Sequence, residues 1–400
     1  MRLEVAVWLL ALLASTVASA LPAVERAEVR GQQLLVNGKP FLPIAIYHVG
    51  HWHKALREAG AQGFNVFQAY GNSPADFRRD VDQAFAQGMY AAVALNGLCE
   101  KPEAVEQIIL ACRTAPGLLC WLLEDEPNIR LPEPKDKPVQ ERPFRLGPET
   151  LKPIYDLLKR LDPNHPVWLN LAYGWEKDHA AYNGVTDIQS DDIYPVPEAA
   201  LPAVAAYADA IRGGTAGKPA WIVLQMAPVR PQFGDKDRAP TMAEVRCMTY
   251  MSFAHGMTGV GYYSFNERPG YDWRINETAP AFWAQWSDLT AELKALAPYL
   301  LAPPAAGEVK AEILEGPQGK GPWDYPALHL SLRQTPTGHF LIAVNGLAEP
   351  VRARLTLPVA PKFQEAAVRF ENRLQPVHGA VIEDRFEAYG VHLYELPKLP

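Results

Sequence analysis

The chain has little cysteine and no strongly basic segment, and both shortages exclude classes of function. Only 4 of its 400 residues are cysteine, and Cys99, Cys112, Cys120 and Cys247 do not have the spacing of a zinc site. The formal net charge is -7, and there is no run of Lys and Arg of the kind that nucleic acid binding requires. We therefore expect neither a zinc site of cysteines nor a nucleic acid partner.

Long apolar runs are also scarce, and the one at the N-terminus predicts export. Arg2 precedes the apolar core Val5–Leu13, and Ala18–Ala20 forms an A-x-A cleavage site before Leu21, which is the pattern of a secretory signal. The apolar core is too short for a membrane span. We expect residues 1–20 to be removed and the protein to be secreted or periplasmic, without a membrane partner.

Two motifs of common enzyme classes are missing from the sequence. There is no Gly-x-Ser-x-Gly elbow for a serine hydrolase, and no glycine-rich phosphate turn follows the first predicted strand, which disfavours a doubly wound open sheet. Nothing in the sequence predicts a cofactor.

What the sequence does have is a regular alternation of apolar strands and helices. Helices are predicted between the strands, for example over Pro74–Gln87 and Met242–Ala254, and several are predicted to end at a glycine, such as Gly60, Gly88 or Gly256. Eight strand–helix units over roughly 250 residues predict a (β/α)₈ barrel of the TIM type. The predicted strands are Leu42–Val49, Phe64–Tyr70, Tyr90–Asn96, Leu118–Leu123, Val167–Tyr173, Asp187–Tyr194, Ala220–Gln225 and Gly259–Phe265.

The pattern changes on both sides of this barrel. Before it, Ala27–Pro40 predicts a small β-hairpin that turns at Asn37 to Pro40. After a long predicted helix, Pro280–Leu300, the segment Ala302–Gly307 breaks the alternation. The apolar period then becomes two, which predicts five strands: Ala327–Arg333, His339–Asn345, Val351–Leu357, Ala367–Glu371 and Tyr389–Leu396. We therefore predict a barrel domain with its hairpin over residues 21–301 and a small antiparallel β-sandwich over residues 305–400.

Chemistry in such a barrel lies at the C-terminal ends of the strands, and the most informative segment lies at one of them. In Trp121–Asn128 an apolar run leads into Glu124, Asp125 and Glu126 and stops at a proline. Three adjacent carboxylates at the end of a buried strand repel one another, which keeps a proton on one of them and favours acid catalysis.

The other predicted strand ends carry amides, carboxylates and aromatic rings. This combination suits a carbohydrate, because rings stack on the C–H faces of a sugar while acids and amides bind its hydroxyls. The residues that we expect to bind substrate are Tyr47, His48, Gln68, Asn96, Glu124, Asn170, Tyr173, Asp191, Tyr194, Gln225, Tyr263 and Asn266.

The barrel region resembles the glycoside hydrolases of clan A. Val36–Ile44 is similar to the start of the first strand in β-galactosidase-like, family 42-like members, and Val245–Asn266 resembles their seventh helix and eighth strand. The resemblance extends over roughly residues 30–400. It implies a (β/α)₈ fold, hydrolysis of O-glycosidic bonds, an acid/base glutamate after strand four and a nucleophilic glutamate after strand seven.

The two implied catalytic positions are not equally well matched. Glu126 matches the acid after strand four, but the seventh strand ends in Gln225, whose amide cannot act as a nucleophile. The adjacent Asp125 and Glu126 also resemble the pair in hexosaminidases such as family 123, where the 2-acetamido oxygen of the substrate attacks the anomeric carbon. The second catalytic group is therefore either Asp125, acting through the substrate, or a carboxylate from another strand, which is Asp191 or Asp192 on strand six or Glu267 beyond strand eight.

Two other functions remain open. Gln225 favours a barrel that binds carbohydrate without cleaving it. A metal-dependent hydrolase is suggested by His48, His51 and His53 after the first strand, although no later strand supplies the further histidines of such a site. A carbohydrate is the expected partner of both the glycoside hydrolase and the non-catalytic barrel. The sequence does not indicate the oligomeric state.

Overall fold

The structure is a computed structural model that describes five stretches of the chain. They are residues 21–49, 53–229, 236–265, 274–319 and 324–399. The predicted signal sequence, residues 1–20, lies outside them. Within these stretches, no helix combines the length and the apolar character that crossing a lipid bilayer requires.

A small antiparallel sheet precedes the barrel, consisting of β1 (Ala27–Arg30), β2 (Gln33–Val36) and β3 (Lys39–Pro40). The predicted turn connects the last two strands through Asn37 and Gly38, which both have positive φ angles, 50° and 77°. Two such residues in sequence form the type I′ turn that matches the twist of a hairpin.

Eight parallel strands in the described part of the chain close into a barrel in sequence order, with the last strand pairing with the first. Each of them lies within or overlaps a predicted strand, so the predicted fold class is confirmed. The strands are almost fully buried because the barrel core covers one face and helices cover the other. They are β4 (Ile44–Ile46), β5 (Val66–Ala69), β6 (Tyr90–Ala94), β7 (Leu118–Asp125), β8 (Val167–Leu171), β9 (Ile188–Ile193), β10 (Ala220–Gln225) and β11 (Gly259–Tyr263).

Helices alternate with these strands and continue beyond the last one. The helix that follows β10 begins with a capping box, in which Thr241 and Glu244 bond to each other's backbone N–H. The helices are α1 (His53–Ala61), α2 (Pro74–Ala86), α3 (Pro102–Cys112), α4 (Pro148–Leu161), α5 (Glu176–Ala181), α6 (Ala203–Gly214), α7 (Met242–Ala254), α8 (Ile275–Thr278), α9 (Pro280–Trp283) and α10 (Trp286–Leu300).

Two helix predictions are wrong in detail. Gly60 lies inside α1 rather than after it, and a Cβ there would lie 2.4 Å from the carbonyl oxygen of Gln87. Close helix packing, not a C-cap, therefore requires this glycine. The predicted helix Pro280–Leu300 is divided into α9 and α10, which allows Trp283 and Trp286 to pack against Phe64 with ring centres 6.0 and 5.5 Å away.

Large aromatic side chains fill the inside of the barrel. Trp168 on β8 contacts Trp221 on β10, with ring centres 5.0 Å apart, and Tyr47 approaches Trp168 edge-on at 6.1 Å. Gly259 on β11 leaves room for the Trp221 ring, because a Cβ there would lie 2.6 Å from it. The filled interior leaves the chemistry to the ends of the strands.

The C-terminal part of the chain forms two antiparallel sheets. Their strands are β12 (Lys310–Glu315), β13 (Leu328–Gln334), β14 (Gly338–Asn345), β15 (Val351–Thr356), β16 (Glu365–Val368), β17 (Arg373–Pro376), β18 (Val381–Phe386) and β19 (Val391–Pro397). One sheet has the order β12-β15-β18 and the other β13-β14-β19-β16-β17, and a core that includes Leu341, Leu355, Ile382, Phe386 and Tyr394 accompanies them. Five of the strands overlap the predicted ones, whereas β12, β17 and β18 were not predicted.

These sheets pack against the barrel through α7. Phe340, Ile342 and Val344 of β14 belong to the same apolar core as the barrel helices, and Cys247 on α7 donates to the carbonyl of Asn345 at 3.4 Å. All four cysteines are buried free thiols, and such apolar burial keeps a thiol unreactive.

Candidate active site

The acidic segment of β7 contains a bulge that decides which carboxylate faces the barrel mouth. Leu122 pairs with Trp168 of β8, whereas Asp125 pairs with Asn170, so three steps along β7 correspond to two along β8. A bulge of this kind re-aims the side chains that follow it. It places Asp125 beside the next inward-facing residue of β8.

Glu124 is directed away from this position. Its carboxylate accepts hydrogen bonds from the backbone N–H of Gly97 and the thiol of Cys99, both at 2.9 Å, and lies 3.5 Å from the guanidinium of Arg145. Its side chain is buried. Glu124 therefore holds the loop after β6 against β7, and the contacts leave it little capacity to bind a substrate.

Asn170 joins two carboxylates at the centre of the mouth. Its amide nitrogen Nδ2 lies 2.9 Å from Asp125 Oδ1 and 3.4 Å from Asp192 Oδ1. Its carbonyl oxygen accepts from the hydroxyl of Ser190, which in turn accepts from the indole N–H of Trp168 at 2.8 Å. This chain of donors fixes the orientation of the amide, so that its nitrogen faces the two acids.

Burial and mutual repulsion favour the protonated forms of both acids. Burial, followed by the charges of Glu126 and Glu124, raises the pKa of Asp125 to about 6, although the hydrogen bond from Asn170 opposes the rise. Burial and the charges of Glu126, Asp191 and Asp125 hold the pKa of Asp192 well above its usual range. Groups with such pKa values are typical of sites that perform acid–base chemistry.

Glu126 follows the strand in a left-handed backbone conformation. Its φ angle is 50°, which is uncommon for a residue other than glycine, and its backbone N–H bonds to the carbonyl of Asn170 at 2.8 Å. Its charge raises the pKa values of Asp125, Asp192 and Tyr173. The carboxylate of Glu126 therefore lies close enough to affect all three groups.

Aromatic rings surround the two aspartates. Tyr263 lies 6.2 Å from Tyr47, 5.1 Å from Tyr194 and 5.1 Å from His48, measured between ring centres, and the hydroxyl of Tyr70 donates to Gln68 Oε1 at 2.8 Å. Burial raises the pKa of Tyr47, and the charge of Asp125 adds to the rise. The rings therefore enclose the acids on the side of β4, β5 and β11.

Several buried polar side-chain atoms near the strand ends have no hydrogen-bond partner among the described residues. The hydroxyl of Tyr47 and the amide nitrogen of Gln68 have no hydrogen-bond partner in the described part of the chain, and the same is true of Asn96 Oδ1 after β6. Buried polar groups are normally paired. Donors and acceptors left open beside two carboxylates suit the hydroxyl groups of a sugar.

Besides Glu124, two more of the expected substrate-binding residues are used for structure. Gln225 is fully buried, and its amide bonds to the backbone N–H and carbonyl of Val196, both at 2.8 Å, and to the carbonyl of Ala227. Asp191 accepts from the backbone of Gly174 at 3.0 Å and from His179 at 3.2 Å, on the helix side of β9. Both hold loops in place.

Other expected site residues cannot be assigned a place. Asn266, Glu267 and His51 lie outside the described residues. Among the described residues, no group of three or more His, Cys, Asp and Glu side chains is arranged to hold a metal ion.

The sequence prediction missed several residues that shape the site. Ser190 and Trp168 orient Asn170, and Arg145 donates to the backbone carbonyl of Asp125 at 2.6 Å. Ser190 lies two residues before Asp192, so the alternation of inward-facing positions along β9 is the signal that points to it. Arg145 comes from a loop and has no comparable signal.

One protein family model matches part of the barrel. The family model of the glycoside hydrolase family 42 β-galactosidases matches residues 149–276, about a third of the chain. The chain resembles the family 42 β-galactosidases. The matched stretch begins after β7 and so includes Asn170 and Asp192 but not Glu126. No curated protein is significantly similar to this sequence.

Solved structures of glycosidases share the fold. The chain is 9% identical to a catalytic mutant of Gan42B, a family 42 β-galactosidase from G. stearothermophilus, with 90% of this chain and 98% of that chain covered and a TM-score of 0.61. The β-galactosidase from Bacillus circulans sp. alkalophilus is 10% identical, with 89% of this chain and 99% of that chain covered and a TM-score of 0.60. The Anoxybacillus α-amylase is 11% identical, with 87% of this chain and 90% of that chain covered and a TM-score of 0.55. At these identities the likeness concerns the fold alone.

Proposed function

We propose that this protein is a glycoside hydrolase in which Glu126 is the general acid and Asp125, Asn170 and Asp192 bind the reacting sugar. The observation that carries the proposal is the sharing of one amide nitrogen, Asn170 Nδ2, between two carboxylates directly beside Glu126. The family 42 match and the glycosidase fold support the reaction class. The names of those relatives make β-D-galactosides the first substrates to test.

The residue at the end of β10 limits the mechanism. A retaining glycosidase needs a group that attacks the anomeric carbon, and the amide of Gln225 cannot do so. Asp125 precedes Glu126 and lies 2.9 Å from Asn170 Nδ2, where it can bind a substituent of the reacting sugar. We therefore propose that a substituent of the substrate attacks the anomeric carbon, so that the anomeric configuration is retained.

Retention without a glutamate after β10 is explained by substrate assistance. The 2-acetamido oxygen of the substrate attacks the anomeric carbon while Glu126 donates its proton to the departing glycosidic oxygen. Asp125 accepts the N–H of the acetamido group and stabilises the positive charge that develops there. Water then opens the cyclic intermediate, and the carboxylate of Glu126 takes the proton of that water.

Asp125 has the pKa that this role requires. A carboxyl whose pKa is about 6 is mostly ionised at neutral pH, so it can accept the acetamido N–H. Burial and the neighbouring carboxylates hold the pKa of Asp192 well above its usual range, which favours the protonated form that can donate a hydrogen bond to a sugar hydroxyl. In a second mechanism, the ionised form of Asp192 attacks the anomeric carbon directly.

A carbohydrate-binding barrel without catalysis is the second candidate function. Gln225 favours it, because the amide stands at the end of β10 and is fully occupied by backbone groups of Val196 and Ala227. Such a protein would bind sugars through the same rings and acids.

We further propose, from the N-terminal sequence, that the protein is exported.

Hydrolysis of two 4-nitrophenyl glycosides tests these proposals. One is the β-galactoside and the other the N-acetyl-β-glucosaminide, which carries a 2-acetamido group. Turnover of the second alone, abolished in Asp125→Asn but not in the exposed control Glu133→Gln, is the result expected for substrate assistance. Turnover of the first, abolished in Asp192→Asn, would overturn that mechanism in favour of direct attack. Binding without any turnover would overturn the proposal that the protein is a glycoside hydrolase and would favour the non-catalytic barrel.

A further inference from the structure

Tyr173 lies at the mouth of the barrel in an unfavourable backbone conformation. It follows β8 with a φ angle of 77°, and it is 37% exposed. A bulky residue with positive φ is costly, and such residues persist only where the surroundings hold them in place. An exposed ring that is held at this cost indicates a use for its position.

A column of side chains supports that ring from below. The Tyr173 ring stacks on Trp175, with centres 4.8 Å apart and planes 24° from parallel. The guanidinium of Arg130 lies 5.4 Å from the centre of the Trp175 ring and 4.0 Å from that of Phe144. We call Phe144, Arg130, Trp175 and Tyr173 the aromatic column.

A buried ion pair anchors the aromatic column. Arg130 pairs with Asp178, and the two side chains are 6% and 2% exposed. Asp178 also accepts a hydrogen bond from Asn128 at 3.0 Å, and Asn128 bonds to the backbone of Ala172, next to Tyr173. These bonds fix both ends of the column, so the Tyr173 ring is a rigid surface rather than a loose side chain.

The column stands on the Glu126 side of the active site. Its ring follows Asn170 by three residues, and Asn170 is bonded to the backbone of Glu126. Among the neighbouring carboxylates, Glu126 raises the pKa of Tyr173 most, ahead of Asp192. Tyr173 therefore lies nearer to Glu126 than to Asp192, on the side of the acid.

We propose that Tyr173 and Trp175 form the binding platform for the leaving-group sugar, the ring whose glycosidic oxygen receives the proton of Glu126. The C–H face of a pyranose ring stacks on the exposed Tyr173 ring, which places its oxygen at the acid. This inference rests on the proposed function and adds the expectation that the natural substrate is a disaccharide or longer, not a glycoside with a small leaving group.

Substrates with and without a second sugar ring test the platform. Lactose and β-galactosyl fluoride, or N,N′-diacetylchitobiose and N-acetyl-β-glucosaminyl fluoride, are compared, according to which sugar the protein accepts. In Tyr173→Ala, kcat/KM for the disaccharide is expected to fall about tenfold, the equivalent of one aromatic contact, while that for the fluoride stays unchanged. Tyr173→Phe, which keeps the ring, is expected to match the parent. Phe370→Ala is the control, because Phe370 is also exposed and has a φ angle of 65°.

The other outcomes separate this inference from the proposed function. If Tyr173→Ala cleaves the disaccharide as well as the parent does, or if both substrates suffer equally, the platform is wrong and the hydrolase stands. If the parent cleaves nothing, calorimetric binding of the two disaccharides replaces kinetics. Binding that Tyr173→Ala weakens would then overturn the hydrolase and the leaving-group role, and would leave Tyr173 as a sugar-binding surface of a non-catalytic barrel. The absence of binding would overturn both proposals.

Discussion

Asn170 donates a hydrogen bond to Asp125 at 2.9 Å across β7 and β8, at the position where the bulge in β7 ends. The same amide nitrogen lies 3.4 Å from Asp192. One neutral donor therefore stands between two acids whose pKa values are both raised. The arrangement makes the protonation of the site depend on a residue that does not itself titrate.

Removing this amide is expected to change the pH dependence of activity. In Asn170→Ala, the pKa of Asp125 should rise above about 6, because the lost hydrogen bond lowers it in the parent. The pH at which kcat/KM reaches half of its maximum should move upward, and the maximum should fall by roughly 10- to 100-fold. Asn164→Ala, at the other end of β8, is the control. An unchanged pH profile would contradict the role given to Asn170.

Asp125 should destabilise the folded protein at neutral pH. Its folded pKa of about 6 lies above the unfolded value, so the folded state binds more protons between pH 4 and 6, and stability falls as pH rises through that window. Asp125→Asn should therefore raise the free energy of unfolding by on the order of 2 kcal/mol at pH 8, with little effect at pH 3.5. Urea unfolding at the two pH values measures this. A gain of equal size in exposed Asp136→Asn would show that the effect comes from net charge alone.

Acid should weaken the contact between the barrel and the C-terminal sheets. His329 of β13 lies 2.9 Å from His255, which lies 3.0 Å from Asp209 on α6, and Tyr325 donates to the same aspartate. Burial, and then the neighbouring His255, lower the pKa of His329 to about 3. This value is below the pKa of histidine in the unfolded chain, so below about pH 6.5 the unfolded state binds a proton that the folded state does not. The free energy of unfolding therefore decreases as the pH falls from about 6.5 towards 3.

A substitution at His329 checks that loss. Between neutral pH and pH 4, the free energy of unfolding should fall by about 3 kcal/mol less in His329→Asn than in the parent, measured by urea unfolding. Exposed His378→Asn should behave as the parent. If the pH dependence of stability is the same in the parent and in His329→Asn, this histidine does not titrate in the way described.

Gln225 should tolerate no carboxylate. In Gln225→Glu, the two hydrogen bonds to the carbonyls of Val196 and Ala227 lose their donor, and a charge is buried against them. The free energy of unfolding is expected to fall by about 2–4 kcal/mol with no gain in glycosidase activity. A faster enzyme would show that this position can still act as a nucleophile and that its present amide is the only obstacle.

The barrel was predictable because its signals are local. Strands such as Ala220–Gln225 are apolar runs buried on both faces, and helices such as Met242–Ala254 have recognisable first and last residues. The strands missed in the C-terminal sheets, Lys310–Glu315, Arg373–Pro376 and Val381–Phe386, carry many charges and are partly exposed. Their period-two pattern is weak, and sheet pairing rather than sequence defines them.

The site was predictable only as a set of strand ends. The sequence placed Asp125, Asn170 and Asp192 at neighbouring ends, but the choice between Glu124 and Asp125 as the inward-facing acid depends on the bulge in β7, which no pattern of residue types records. The role of Gln225 depends in the same way on the loop that carries Val196. Contacts between distant segments decide both cases.

The leaving-group dependence of Glu126→Gln tests the central claim most directly. A general acid accelerates bond cleavage most when the leaving group must be protonated in order to depart. Relative to the parent, Glu126→Gln should lose about 10²–10⁴-fold in kcat/KM on the accepted disaccharide. On the matching 2,4-dinitrophenyl glycoside, whose leaving group departs without a proton, it should lose far less. An equal loss on both substrates, or turnover of the disaccharide at the parent rate, would contradict the assignment of Glu126 as the proton donor.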